Sequence, residues 1–433
     1  MDFKPTEYKL INVADGHLSE DSGWTNTDSS SNTPSLVRAI YKTEHFTPKP
    51  TNEGLYRYSN WLPVKRILKG SCAPVTYKSN GLAGLLGLKN LYITFNGWNP
   101  AIGARFSTCS FKETEAFSVC GRLASDEKRI LVVSSAGNTA RAFASVCSRN
   151  RIPLLLCVPE DNISALWFDG ALDNCVKIIA TPSGTDYYDA ISLGDKVCRS
   201  ENFLAEGGAK NIARRDGMGT TLLSAIETIG RIPEFYFQAV GSGTGAIAVW
   251  ENNLRLIKDG RFGQNKMHLM VSQNEPFTVM YDSWQLKQRQ LVDFPAAQAR
   301  TAAAEIKAKV LSNRKPPYSI AGGLFDALQD TNGRMYKVSN NGLEFWKNEF
   351  LKLEGIDIYS AAAVAVASLA QAVDNSEVEK DSIIMLNITG GGEKGAKESI
   401  GRNLFQALPD LVIDPEEDAD IIIEKVKKLF KTR

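Results

Sequence analysis

Four short segments of the sequence carry residue types that could do chemistry together. They are Lys112 in the tetrapeptide SFKE, the segment SAGNT at 135–139, the loop GSGTG at 241–245, and Thr389 before three consecutive glycines. In chain order they offer an amine, two glycine-containing turns and a hydroxyl. An amine can bond to a carbonyl carbon, and backbone N–H groups of a glycine turn can bind an anion. Alone, each segment also has an ordinary structural explanation.

The two turns each precede a predicted helix. Backbone N–H groups at a helix start have no partner within the helix, so 135–139 could bind a carboxylate and 241–245 a phosphate. The alternatives are a plain helix cap at the first turn and a tight turn at the second. The second turn also fits the loose G-x-G-x-x-A dinucleotide pattern, but it lacks the lysine of an NTPase P-loop.

Together, the four segments favour an enzyme that uses pyridoxal 5'-phosphate (PLP). Such an enzyme needs an amine for a Schiff base, a donor to the ring hydroxyl, a phosphate cradle and a partner for the pyridine nitrogen. The sequence offers Lys112, Asn138, the 241–245 loop and Thr389 for these roles in turn. The residues of the loop are Gly241, Ser242, Gly243, Thr244 and Gly245.

The elements that position these residues alternate between strands and helices. Short apolar runs predict strands at 130–135, 153–159, 175–182, 234–240, 268–272 and 383–389. Helical spacing predicts helices at 138–150, 186–199, 219–230, 297–311 and 361–373, with another from Thr244. This alternation is typical of parallel sheets covered by helices, in two α/β lobes with a cleft between them.

Composition excludes several classes of protein. The 433 residues carry 50 Lys and Arg against 49 Asp and Glu, a net charge of +1, which excludes a strongly basic nucleic-acid binder. No apolar run is long enough to span a membrane, and no secretory signal is evident. Seven cysteines without a CxxC pair indicate reduced thiols in a cytoplasmic protein, and the three scattered histidines predict no metal site. The polar first 35 residues are expected to form a surface extension or loop.

The sequence resembles the threonine synthase family, PLP enzymes of fold type II with the fold of the tryptophan synthase β subunit. The resemblance runs from about residue 54 to about residue 400. The matching segments are SFKE (110–113), SAGNT (135–139), NIARRDGMGT (211–220), TGGGEK (389–394), GLYRYSNWLPV (54–64), LGLKNLYITFNGWNP (86–100) and EGI followed by SAA (354–362).

The resemblance implies a fold, a domain division and a set of roles. It implies an N-terminal extension (1–53), a large PLP-binding domain (54–115 and 205–433) and a smaller α/β domain (116–204). It assigns Lys112 to the Schiff base, and it identifies Asn138, the 241–245 loop and Thr389 as the cofactor site. The residues expected to bind substrate are Ser135, Ala136, Gly137, Thr139 and Arg214, with Lys210 as another candidate cation.

Departures from the family pattern point to an unusual substrate. The family reads K-D-R-G where this chain has KETE at 112–115, about six residues are inserted within 102–109, and Ile212 and Met218 replace a proline and a glutamine. The pattern is similar to the branch of the family that makes L-cysteate in coenzyme M biosynthesis. This implies a β-replacement in which sulfite displaces the phosphate of O-phospho-L-serine, with small-molecule substrates only and a homo-oligomeric enzyme.

Three alternatives remain open at this stage. One is a threonine synthase acting on O-phosphohomoserine, which would use the same lysine. Another is a nicotinamide-dependent dehydrogenase that uses the 241–246 turn, with Asp259 at the expected distance for its ribose-binding acid but near a predicted helix end. The third is a non-catalytic module on the same fold, which the presence of both Lys112 and Thr389 disfavours.

Overall fold

A computed structural model describes residues 3–135 and 137–431 of the chain. The strands are β1 (Tyr8–Asn12), β2 (Leu18–Ser19), β3 (Val37–Tyr41), β4 (Val75–Lys78), β5 (Asn90–Phe95), β6 (Trp98–Asn99), β7 (Ala104–Arg105), β8 (Ile130–Ser134), β9 (Leu154–Pro159), β10 (Trp167–Asp169), β11 (Val176–Thr181), β12 (Phe203–Ala205), β13 (Phe235–Ala239), β14 (His268–Asn274), β15 (Arg334–Val338), β16 (Ile383–Ile388), β17 (Leu404–Gln406) and β18 (Leu411–Val412). The α-helices are α1 (Gly81–Leu86), α2 (Lys112–Arg122), α3 (Asn138–Asn150), α4 (Tyr187–Val197), α5 (Ile212–Ile229), α6 (Thr244–Asp259), α7 (Val279–Gln285), α8 (Ala296–Glu305), α9 (Leu324–Asp330), α10 (Asn340–Glu354), α11 (Ser360–Asp374), α12 (Glu393–Ile400) and α13 (Ala419–Lys431).

The larger sheet has six strands in the order β15-β14-β13-β16-β5-β4. All its pairings are parallel except that of β4 with β5. Its central strands are apolar on both faces because helices cover both sides, as is usual in parallel sheets. The Ala- and Val-rich helix α11 packs on this sheet with nearly all of its residues buried. The carboxyl ends of β13 and β16 lead directly into the 241–245 loop and Thr389.

The smaller sheet has five parallel strands in the order β12-β8-β9-β11-β18. Its last strand comes from the C-terminal segment, in which Leu411 and Val412 pair with Ile179 and Ala180 of β11. The amphipathic helix α13 then packs against α4 and joins the apolar core on that side. The sequence analysis placed all of 205–433 in the large domain. In the structure, β18 and α13 of this segment pack with the smaller sheet instead.

The N-terminal residues also differ from the surface extension or loop that was expected. Strands β1, β2 and β3 form an antiparallel sheet. Leu10 in β1 and Leu36 just before β3 are fully buried in the main core. The buried Arg122 side chain of α2 donates to Asp21 at 2.9 Å. The Trp24 indole donates to the carbonyl of Ala205 at 2.9 Å. These contacts attach the N-terminal segment to the end of α2 and to β12 of the smaller sheet.

The α/β class with two mostly parallel sheets is confirmed. Helix α5 begins earlier than predicted, at Ile212, because the Asn211 side chain caps it by accepting from Ala213 N at 3.0 Å. The helix predicted at 297–311 ends at Glu305, and Lys309–Leu311 form a separate 3-10 turn.

Across residues 3–135 and 137–431, no helix combines the length and apolarity needed to cross a bilayer. The same residues contain no cluster of three or more His, Cys, Asp or Glu side chains that could hold a metal ion.

Candidate active site

A cavity of about 570 Å³ lies at the strand ends of the larger sheet and the helix starts of the smaller one. Eleven of the thirteen site residues predicted from sequence line it. The lining residues among them are Lys112, Ser135, Gly137, Asn138, Thr139, Arg214, Gly241, Ser242, Gly243, Gly245 and Thr389. Thr244, the first residue of α6, is not one of the lining residues, and Ala136 lies outside the described residues.

Lys112 is the first residue of α2, and the loop before it is hydrogen-bonded to the end of β16. Phe111 N donates to the carbonyl of Thr389 at 3.0 Å, and Gly391 N donates to the carbonyl of Cys109 at 3.0 Å. Cys109 itself has a positive φ of 55°. These bonds hold the lysine and the strand-end threonine on the same cavity wall, although 277 positions separate them in the sequence.

The Lys112 amine faces a carboxylate that the sequence reasoning did not assign. Its Nζ lies 3.3 Å from Oε2 of Glu115, whose side chain is fully buried while that of Lys112 is 20% exposed. Burial lowers the pKa of the Lys112 amine from its usual value, and the Glu115 carboxylate only partly offsets this effect. The sequence did show that Glu115 replaces the glycine of the family pattern K-D-R-G. It could not show that the Glu115 side chain points towards Lys112.

The segment 135–139 connects β8 to α3. The Ser135 hydroxyl accepts from Gly137 N at 3.2 Å, and α3 begins at Asn138. The hydroxyl of Thr139 donates to Oε1 of Glu115 at 2.9 Å, so it is already engaged within the protein. What this segment can offer an anion is therefore the set of N–H groups at the start of a 13-residue helix.

The loop 241–245 connects β13 to the 16-residue helix α6. Gly243 has a φ of +78°, a conformation that glycine adopts without strain. The Ser242 and Thr244 hydroxyl oxygens lie 2.8 Å apart, which closes the turn. A Cβ on Gly241 would meet the carbonyl oxygen of Val310 at 2.9 Å, so only glycine lets this segment approach the loop so closely.

Arg214 was expected to be a free cation that binds substrate, but in the structure it is paired with two carboxylates. Its Nε donates to Oε1 of Glu206 at 2.8 Å, and its Nη1 lies 3.5 Å from Oε1 of Glu115. Burial disfavours the guanidinium charge, but the two carboxylates outweigh that effect and raise the pKa of Arg214. Its charge is thus balanced inside the protein. Lys210 is exposed and is not among the described lining residues.

Sequence reasoning missed other lining residues that only the tertiary structure identifies. Lys309 lies on the cavity wall, and its Nζ donates to the carbonyl of Ala303 at 3.1 Å. Tyr359 also lines the cavity, and its hydroxyl accepts from the buried Arg141 at 2.9 Å. Tyr187 and Gln238 are two more polar lining residues of this kind. None of them belongs to a motif with a recognisable spacing.

The donor set fits pyridoxal phosphate. A lysine amine, a glycine turn with a positive φ before a long helix, an amide at a second helix start and a strand-end hydroxyl all line one cavity. The dinucleotide alternative is contradicted, because Asp259 lies in the last turn of α6 and its carboxylate accepts from Phe46 N and from Arg261. It is therefore not at a strand end, where a ribose-binding acid would be.

Comparisons with known proteins agree with this geometry. A model of the family described as "Pyridoxal-phosphate dependent enzyme" matches residues 74–390. The chain is 44% identical over 389 residues to a cysteate synthase of Methanosarcina mazei, covering 89% of this chain and 92% of the relative. It is 45% identical over 400 residues to a cysteate synthase of Methanocella paludicola, covering 92% of each.

Solved structures show the same fold at low sequence identity. Maize serine racemase matches with a TM-score of 0.57 and 13% identity, covering 73% of this chain and 88% of that one. Threonine deaminase isoform 2 from Solanum lycopersicum matches with a TM-score of 0.55 and 16% identity, covering 82% and 90%. Together with the two sheets, these matches confirm the predicted fold.

Proposed function

Because the chain belongs to the family of pyridoxal-phosphate-dependent enzymes and, within it, to the cysteate synthases, we propose that it converts O-phospho-L-serine and sulfite to L-cysteate and phosphate. In this reaction the bond from Cβ to the phosphate oxygen breaks and a bond from Cβ to sulfur forms. The observation that carries the proposal is that Lys112, the 241–245 loop and Thr389 line one cavity. We place the reaction in coenzyme M biosynthesis.

Each residue of the cavity has a proposed task. Pyridoxal phosphate, when bound, supplies an electron sink that makes the Cα proton of the amino acid acidic. The Lys112 amine would hold the cofactor at its aldehyde carbon, and the same amine, once the substrate amino group has displaced it, would take the proton from Cα and later return it. The N–H groups of the 241–245 loop bind the cofactor phosphate, and Asn138 donates to the ring oxygen. The helix start at 135–139 binds the substrate carboxylate.

The test of the proposal is a product assay. The purified holoenzyme incubated with O-phospho-L-serine and sulfite is expected to release phosphate and form L-cysteate in equal amounts, both measured over time. The control replaces the substrate with O-phosphohomoserine, which a threonine synthase would convert to threonine and phosphate without sulfite. Phosphate release from O-phosphohomoserine alone, with no L-cysteate from the first mixture, would assign the chain to the alternative.

Thr389 gives a prediction about cofactor binding. We propose that its hydroxyl, at the end of β16, is the hydrogen-bond partner of the pyridine nitrogen. Thr389→Val keeps the shape of the side chain and removes that bond, at a cost of about 1 kcal/mol, so PLP is expected to bind about fivefold more weakly. Equilibrium titration of cofactor-free protein measures this. Thr389→Ser, which keeps the hydroxyl, is the control. Equal affinity in Thr389→Val and the parent protein would place the partner elsewhere.

A further inference from the structure

Glu115 is a buried acid one helical turn from the lysine, and the structure gives both of its oxygens a partner in the cavity wall. Oε2 lies 3.3 Å from Lys112 Nζ. Oε1 accepts from the Thr139 hydroxyl at 2.9 Å and lies 3.5 Å from Arg214 Nη1. Positions i and i+3 of a helix share one face, so the start of α2 itself sets the distance between this acid and the lysine. The hydroxyl of α3 and the guanidinium of α5 then hold the carboxylate in place.

We propose that Glu115 is a positioning residue that binds the Lys112 ammonium whenever the lysine is not bonded to the cofactor. This proposal rests on the proposed function only in that Lys112 is the cofactor-binding lysine. The acid keeps the released amine at the cavity wall, charged and oriented, until the amine is needed again. A glycine at this position, as in the family pattern that the chain resembles, could make no such contact.

The charges that face Lys112 explain why one acid matters so much here. Glu115 lies on the same helix, Arg214 on α5 and Glu206 just before α5, and all three charges act on the Lys112 amine. Tyr187 of α4 faces the same three charged groups. With an ammonium on Lys112, the cluster holds two cations and two carboxylates and is neutral. Without the Glu115 charge it would carry one excess positive charge in a site that already disfavours the ammonium by burial.

Two opposite effects follow for the chemistry of the amine. Only the neutral amine can attack the aldehyde carbon of the cofactor, so Glu115 slows cofactor capture by stabilising the ammonium. Only the ammonium can return a proton to Cα, so Glu115 supports that later step. If Glu115 had a purely structural role, removing its charge would not make cofactor capture faster.

The experiment uses the cofactor-free full chain and the variant Glu115→Gln, which keeps the shape and removes the charge. The pKa of Lys112 is measured from the pH dependence of its acylation, followed by peptide mapping. The loss of a carboxylate within 4 Å is expected to lower this pKa by about one unit or more, because an opposite charge at that distance favours the charged form. At neutral pH this gives about tenfold more neutral amine. The rate of PLP capture, followed by absorbance, is expected to rise by the same factor.

Glu113→Gln is the matched control. Glu113 is also buried on α2, next to Lys112 in sequence, but its carboxylate accepts from Thr108 N and from the Ser107 hydroxyl at 3.2 Å instead. Its loss is expected to leave the Lys112 pKa unchanged and the capture rate within about twofold of the parent protein, because the Glu113 carboxylate is bonded to the 107–108 loop and makes no ion pair with Lys112.

A second variant, Glu115→Asp, keeps a charge but withdraws it from Nζ, and it is expected to lower the Lys112 pKa by a smaller amount. An unchanged pKa and capture rate in both Glu115 variants would overturn the proposal. A fall of equal size in Glu113→Gln would overturn it as well. Neither measurement uses O-phospho-L-serine or sulfite, so failure of the proposed reaction and failure of the Glu115 role are separate results.

Discussion

Lys112→Ala is expected to lower the rate of L-cysteate formation by about four orders of magnitude, because it removes both the covalent attachment point and the group that moves the Cα proton. Lys112 lies at the start of a helix whose preceding loop is bonded to the strand end at Thr389. The rate is measured by phosphate release under saturating PLP. Borohydride reduction of the parent holoenzyme followed by peptide mapping is expected to place the pyridoxyl group on Lys112.

A surface lysine provides the control for this experiment. Lys89 is exposed and pairs with Asp381 at 2.7 Å, away from the residues that line the cavity. Lys89→Ala is expected to keep its turnover and its cofactor, since an exposed pair contributes little to stability. A pyridoxyl group on any lysine other than Lys112, or turnover in Lys112→Ala within tenfold of the parent, would remove Lys112 from its proposed role.

Local patterns in the sequence were enough to predict several of the segments that line the cavity. The segment 135–139 and the loop 241–245 each connect a strand to a helix, and the structure places α3 at the predicted residues and α6 at its predicted start. Such turns can be recognised because one short stretch contains the strand, the glycine and the helix start. The carboxyl ends of parallel strands also meet at one sheet edge, so residues distant in sequence were expected to converge there.

The electrostatic part of the site could not be predicted in the same way. Arg214 was expected to bind substrate, but its partners Glu206 and Glu115 come from different elements that meet only in the folded protein. Lys309 follows a helix end that the alanine-rich sequence did not reveal. The position of the two-residue strand β18 depends on its long-range pairing with β11, and so short a strand has almost no periodicity of its own.

Gly243→Ala is expected to weaken PLP binding by about tenfold or more. Gly243 has a φ of +78°, which costs an alanine about 1 kcal/mol, and its added Cβ would lie 2.9 Å from the Leu324 side chain. Leu324 is fully buried and has little room to give way, so we expect the loop to shift and its N–H groups to bind the phosphate less well. A hydrogen bond to a charged group contributes about 1.5–3 kcal/mol, so the loss of one is enough for the predicted effect.

The other end of the same helix offers a matched control. Gly260 ends α6 with a φ of +79°, and a Cβ there would have only Gln264 Nε2 nearby, at 3.7 Å. Gly260→Ala therefore carries the same backbone cost without the clash and without contact with the cavity. Thermal unfolding of the two cofactor-free variants measures the shared cost, and equilibrium titration with PLP measures the difference. If both variants bound the cofactor as tightly as the parent protein, the phosphate would have to be held by another part of the cavity wall. If both lost affinity equally, the effect would be one of stability, because only the Gly243 substitution alters the loop.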